Sequence, residues 1–448
     1  MVTGIPLVLI IIAVLALIVI GCARLKWHPF LVLLGAAALT GLATRMDIET
    51  ITTTITEGAG SVFSAIGIII ALGAILGEIL ERTHAARALA EAILKIFSKK
   101  RILSGMSTLG GIIGIPVFCD SGFIIMANLG KSLSRQSGVS FGAISIALAT
   151  GLYTAHVLIP PTPGPLAVAG TLGASDQLGL VLLFGIITGI PAIIAGNVMA
   201  KWYLKREETK EEPVEIHEEL LDQVKTPGVL KASVPLFLPI LLISMGTIVS
   251  VLDLNGISGT MVKFFSHPVI ALFLGVLTAI FLLPVKGQIC NWIGSALSQA
   301  GPIILITCAG GAFGAILKAT PLSSYFEELM QGGNFSAMGF FPIVFLIASG
   351  LKTAQGSSTA AMVITSSIIL PILPAAGMDT PTLKALLVTV IGAGAMAVSH
   401  ANDSYFWVIQ QYSKIRLPMM YRYFTLASLF MGIVVVIMAI MIERIFLN

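Results

Sequence analysis

Charge is scarce in this sequence of 448 residues. Asp, Glu, Lys and Arg make up 11% of it, less than half the share of about 25% found in soluble domains, which excludes an ordinary water-soluble globule. Of the 48 residues of these four types, 14 lie within 201–231, so the rest of the chain is nearly uncharged. Cysteine is confined to Cys22, Cys119, Cys290 and Cys308, scattered through apolar sequence without the spacing of a disulfide framework or of zinc ligands. A phosphate-cradling glycine loop is missing, which argues against a self-contained ATP-driven pump. No nucleophile and base stand at a spacing that reads as an enzyme, and no metal, nucleotide or prosthetic group is implied. The formal charge of +4 comes from bases near helix ends and forms no basic face, so nucleic acid is not an expected partner.

What the chain has instead is apolar sequence, at 56% of its residues. Runs such as 5–20, 234–251 and 425–442 approach the roughly 20 residues that a bilayer-spanning helix needs. The reading is an all-α polytopic membrane protein with about ten transmembrane helices, at 4–22, 29–44, 61–81, 138–158, 178–200, 231–251, 268–285, 301–318, 383–399 and 420–442. Residues 1–21 lack a basic leader, so they read as the first helix and not as a signal peptide. Two more apolar stretches, 103–130 and 340–374, are interrupted by Gly, Pro and small polar residues. They are expected as broken re-entrant hairpins, tolerated at membrane depth only inside protein. With the N-terminus placed outside, 20 of the 26 basic residues fall on the cytoplasmic side, as the positive-inside bias requires. Lys352 alone falls within the membrane.

The sequence also carries a faint repeat. His28-Pro29 returns as His267-Pro268 after 239 residues, and Leu72-Gly73-Ala74-Ile75-Leu76 matches Phe313-Gly314-Ala315-Ile316-Leu317 after 241. This predicts two halves, 1–200 and 231–448, joined by a charged cytoplasmic linker at 201–230. With five crossings and one hairpin each, the halves would be inverted repeats, an arrangement of secondary transporters that bind solute where helices break.

Four stretches could carry the chemistry. In 110–122, glycines and Pro116 break the helix and leave Asp120 at the break, beside Ser121. An ionisable group at membrane depth is a functional candidate, although Asp120 could equally cap the helix that follows. In 156–165, His156 precedes four prolines in six residues, which cannot continue a helix; the imidazole could pass a proton or hold the opened segment. In 352–360, Lys352 stands before Gln355, Ser357, Ser358 and Thr359, hydroxyls and amides at a helix start that suit an anion. Plain helix packing would use the same hydroxyls. In 399–407, His400, Asn402 and Asp403 gather at the end of a span, with an interfacial loop anchored by Trp407 as the simpler reading.

These stretches resemble the gluconate permease family over nearly the whole chain. The resemblance is carried by His156 to Pro165, by Gln355-Gly356-Ser357-Ser358-Thr359-Ala360 and by Ser399-His400-Ala401-Asn402-Asp403. It implies a multi-pass protein of the bacterial inner membrane, a proton symporter for gluconate or a related small hydroxy monocarboxylate. It also implies membership of a wider superfamily of anion transporters with two inverted halves, and a homodimer. On that reading the substrate meets Asp120, Ser121, Lys352, Gln355, Ser357, Ser358, Thr359 and Asn402, while Asp120, His156, His400 or Asp403 carries the proton. A sodium-coupled carrier, a passive anion channel and a sensor remain as alternatives.

Overall fold

The computed structural model describes residues 1–97, 101–206, 226–251, 257–284, 287–322, 324–325 and 337–446. Most of the predicted linker, with Lys99, Lys100 and Lys286 of the charge argument, lies outside them. The described residues are helical, without strands. The helices of the first half are α1 (Gly4–Val19), α2 (Pro29–Ala43), α3 (Ile48–Val62), α4 (Ile68–Arg82), α5 (Ala85–Ile96), α6 (Ile102–Ile113), α7 (Cys119–Ser137), α8 (Phe141–Leu158), α9 (Pro163–Leu172) and α10 (Leu178–Arg206). Those of the second are α11 (Val229–Val251), α12 (Ile257–Ser266), α13 (Pro268–Leu282), α14 (Ile289–Ala319), α15 (Ala337–Gln355), α16 (Ser358–Ile369), α17 (Pro381–Met396), α18 (Ser404–Ser413) and α19 (Leu426–Phe446). A π-turn at Phe63–Gly67 joins α3 to α4 in one rod of 35 residues, about 52 Å long at 1.5 Å per residue.

Among the described residues, eight helical segments are long and apolar enough to cross a membrane, or nine when the bent pair Thr260–Ser266 and Pro268–Leu282 is one span. Hydropathy along the sequence predicts about ten. The difference lies in α2 and α17, which at 15 and 16 residues are shorter than a full crossing, and in α15, which the sequence pattern assigns to a hairpin. Both short helices start on a proline, where the missing N–H costs nothing. α17 then stops at the break before Asp403, a polar stretch whose depth hydropathy alone does not reveal.

Both stretches expected to be interrupted are helix–break–helix units, α6/α7 and α15/α16, and the break after His156 separates α8 from α9 as Pro160 and Pro161 demand. Helix starts recur with a nearly constant shift. Cys119 and Ser358 open α7 and α16, Phe141 and Pro381 open α8 and α17, and Pro163 and Ser404 open α9 and α18, at separations of 239, 240 and 241 residues. Packing recurs too: α6 lies on α8 and α15 on α17, while α9 contacts α16 and α18 contacts α7, so each half lends an arm to the other.

α8 is buried along its length except at His156, and α17 is buried from Ala385 to Met396. Helices apolar on all sides belong in the interior, and these two form the centre of the molecule. α1 and α19 instead expose Ile5, Leu9, Ile433 and Ile437, side chains suited to lipid. At one end of the bundle Lys131 feels the charge of Lys414, and Arg422 lies 5.6 Å from the Trp202 ring. At the other, Arg444 reaches Met338 at 3.6 Å, and a cavity of about 960 Å³ is lined by Asp176, Lys263, His267 and Pro381. α10 runs from the second group to the first. Lys131 and Lys414, both assigned by charge sorting to the cytoplasmic side, are neighbours in the structure.

Candidate functional site

The chain breaks four times near the centre, and the local sequence explains each break. Gly114 to Phe118 separates α6 from α7. Ile159 to Thr162 separates α8 from α9, where Pro160 and Pro161 supply no backbone donors. Gly356 and Ser357 part α15 from α16, with Gly356 at φ +83. A β-carbon there would sit 2.0 Å from the Asn402 carbonyl oxygen, so only glycine permits this approach. Ala397 to Asp403 parts α17 from α18, and Val398 takes a positive φ of 54 within it.

The breaks of the second half are tied to each other. The Lys352 ammonium, fully buried, donates to Asp403 Oδ2 at 2.8 Å and also to the Gly356 carbonyl. Ser399 Oγ donates to the same carboxylate oxygen at 2.5 Å. Oδ1 of Asp403 accepts the Tyr405 N–H at 3.1 Å, capping α18. The Asn402 side-chain amide donates to the Thr353 carbonyl at 2.5 Å, which joins the hairpin tip to the α17–α18 break. A buried charge is tolerable only when paired and hydrogen-bonded, and both members of this pair are.

The first half reaches the same pair through Tyr153 of α8. Its hydroxyl lies 2.9 Å from Ser358 Oγ and donates to Asp403 Oδ2 at 3.4 Å. Its ring centroid is 5.9 Å from Lys352 Nζ and 5.4 Å from the Tyr405 ring. Asp120 and His156 both lie within electrostatic range of Lys352 and Asp403. The His156 ring is 6.2 Å from Phe118 in the first hairpin break.

Against this core sit polar atoms without a partner. Buried Asp120 Oδ1, His156 Nδ1 and both amide atoms of Gln355 make no hydrogen bond. Orphaned polar groups are costly in a packed interior, and three such side chains around one ion pair mark a place that a polar ligand would satisfy. Asp120 is not a cap: α7 begins at Cys119 without any side-chain cap bond.

The expected site residues divide by how they are engaged. Lys352 and Asp403 bind one another, Ser358 is held by Tyr153, and Ser357 Oγ accepts the Ala360 N–H at 3.2 Å as the cap of α16. Asn402, Ser357 and Thr353 are exposed, whereas Ser121 and Thr359 are half-buried. His400 offers its carbonyl to the Asp403 N–H at 2.8 Å and flanks the pair. Tyr153, Ser399 and Tyr405 are not among the residues expected from sequence. Tyr153 shares a helix with His156, three residues away, and that spacing on one face is the signal that points to it. Among the described residues no cluster of His, Cys, Asp and Glu could hold a metal ion.

Comparison with known proteins gives the family and a likeness of fold. The family model described as GntP family permease matches residues 5–445. A gluconate permease of Pseudomonas aeruginosa is 30% identical over 95% of this chain and 94% of its own length. The D-serine transporter DsdX of Escherichia coli is 31% identical, covering 94% of each. The Gnt-II system L-idonate transporter of Escherichia coli is 29% identical over 91% of this chain and 92% of its own. The crystal structure of the Alcanivorax borkumensis YdaH transporter superposes with a TM-score of 0.68 over 93% of this chain and 98% of that one, at 11% identity, a likeness of fold.

Proposed function

The chain belongs to the GntP permease family, a membrane permease and not an enzyme, and from that premise we propose that it is a proton symporter for gluconate or a related small hydroxy monocarboxylate. The observation that carries the reading is one buried ion pair, Lys352–Asp403, that ties the α15–α16 break to the α17–α18 break, with orphaned polar atoms of Asp120 and His156 in electrostatic range of it and of Gln355 three residues along α15. Interrupted helices that free polar groups at membrane depth are where secondary transporters bind solute.

The relatives' names narrow the chemistry. Gluconate, idonate and D-serine share a carboxylate flanked by polar substituents on the next two carbons. In the proposed complex Lys352 faces the carboxylate, and Asp120, Ser121, Gln355 and Thr359 meet the hydroxyls, with Asn402, Ser357 and Ser358 holding the hairpin tip. Residues 1–200 and 231–448 act as two inverted halves joined by a cytoplasmic linker at 201–230, in a bacterial inner membrane. The 239–241-residue recurrence of helix starts and the exchanged arms support the pairing of halves. Movement of one part against the other then alternates access.

The test is uptake of labelled gluconate into proteoliposomes. A pH gradient, acid outside, should drive accumulation without sodium. Accumulation on a sodium gradient alone would contradict proton coupling, and the absence of counterflow would point to a channel or sensor.

A further inference from the structure

This inference rests on the proposed symport and concerns which group takes the proton. We infer that a proton and the substrate carboxylate exchange places on the Lys352–Asp403 pair. The proton adds to Asp403 Oδ2, the ion pair to Lys352 opens, and the freed ammonium binds the arriving carboxylate. No bond of the substrate changes, and the proton leaves with it on the other side.

The argument is one of charge balance in a closed space. Lys352 is fully buried and Asp403 nearly so. The groups facing Asp403 are Lys352 from α15, Cys119 and Asp120 from α7, Tyr153 and His156 from α8, and Tyr405 on its own helix. His400 is three residues away. Lys352 is the one fixed cation in that set. An entering carboxylate would leave two anions competing for one ammonium, an arrangement that favours protonation of one of them.

Asp403 is the carboxylate placed to yield. Of the carboxylates in that set it alone contacts Lys352 Nζ, at 2.8 Å, so its neutralisation leaves the ammonium without an anionic partner, held only by the Gly356 carbonyl. It also stays satisfied when protonated: Oδ1 keeps the Tyr405 N–H, and the new hydroxyl has Ser399 Oγ at 2.5 Å as an acceptor once that hydroxyl turns. Tyr153 bonds both Asp403 and Ser358. Loss of the carboxylate's charge weakens the first of these bonds and loosens a tie between α8 of one half and the α17–α18 break of the other. Binding is thereby linked to movement.

The exchange has a consequence for the membrane potential. One proton with one monovalent acid moves no net charge, so gluconate transport should be electroneutral, whereas a zwitterion would carry in one positive charge.

The experiment uses the full chain in proteoliposomes, gluconate as the probe and a trapped pH dye. Expected are one proton per gluconate, and an initial rate on a pH gradient that changes less than twofold under a potassium–valinomycin potential of either sign. Asp403→Asn should abolish accumulation on the pH gradient at least tenfold, while counterflow of labelled gluconate persists at reduced rate and without pH dependence. A ratio other than one, potential-driven accumulation, or an Asp403→Asn protein that still concentrates gluconate on a pH gradient would overturn the exchange while leaving symport intact. If that variant fails to fold, the wild-type ratio and potential independence decide. A wild type that takes up no gluconate on a pH gradient refutes the symport and the exchange together.

Discussion

Replacing Lys352 by alanine removes the cation of a pair that is shielded from water on all sides, its ammonium 2.8 Å from Asp403. Deleting one partner of a buried pair costs about 3–5 kcal/mol when the other is left uncompensated. Here Asp403 keeps donors from Ser399, Tyr153 and the Tyr405 amide, which places the expected loss near the lower end, about 3 kcal/mol. The effect on ligand is separable. A hydrogen bond to a charged group contributes about 1.5–3 kcal/mol, so gluconate affinity should fall about 10- to 150-fold at 1.4 kcal/mol per factor of ten. Thermal unfolding in detergent and titration calorimetry with gluconate measure the two quantities on one preparation. Adding Asp403→Asn to the alanine variant removes the stranded anion and should restore most of the stability without restoring affinity. A single alanine variant that binds gluconate as tightly as the wild type would remove Lys352 from the site.

Gln355→Ala should leave the melting temperature unchanged or slightly higher, since its amide makes no protein hydrogen bond, while KM rises about 2- to 13-fold for one lost neutral hydrogen bond. Gly356→Ala should destabilise by at least about 1–3 kcal/mol, because its φ of +83 and the Asn402 carbonyl at 2.0 Å leave no room for a methyl group; a variant melting within a degree of wild type would refute the tip geometry. Tyr153→Phe keeps the ring and deletes the hydroxyl bonds to Ser358 and Asp403, an expected loss of about 0.5–1.5 kcal/mol for each bond, with a larger fall in the pH-gradient-driven rate than in counterflow.

Breaks made by covalent geometry are legible in the sequence. Pro160 and Pro161 end the helix after His156, while Pro163 and Pro165 fall in the first turn of α9, where proline is tolerated; glycines around Pro116 and at Gly356 mark turns whatever surrounds them. That is why three of the four broken places follow from the amino-acid order alone; the fourth, Ala397 to Asp403, holds neither glycine nor proline and is marked only by its polar run at the end of an apolar stretch. Which side chain meets which does not follow in the same way. Lys352 and Asp403 are 51 residues apart, and Tyr153 and Asp403 are 250 apart, and nothing local requires either contact. On sequence grounds Lys352 belongs to the substrate, because an unpaired lysine at membrane depth calls for an anion. The fold supplies that anion from within the chain, in Asp403. Tyr153 is marked in the sequence only by its place three residues before His156 on α8, since an aromatic inside an apolar helix otherwise looks like core; its hydroxyl's partners distinguish it. Hydropathy finds α2 and α17 to within a few residues, at 29–44 and 383–399, but counts them as crossings although both helices are short; at α17 the apolar sequence runs on into buried, non-helical chain at Ala397 and Ser399.

The most direct measurement is a structure of the full chain with gluconate bound. The account predicts the carboxylate within hydrogen-bond distance of Lys352 Nζ, hydroxyls reaching Asp120 and Gln355, and the Lys352–Asp403 contact lengthened well beyond 2.8 Å. Gluconate found only in the wide cavity beside Lys263 and His267, with that contact intact, would contradict it.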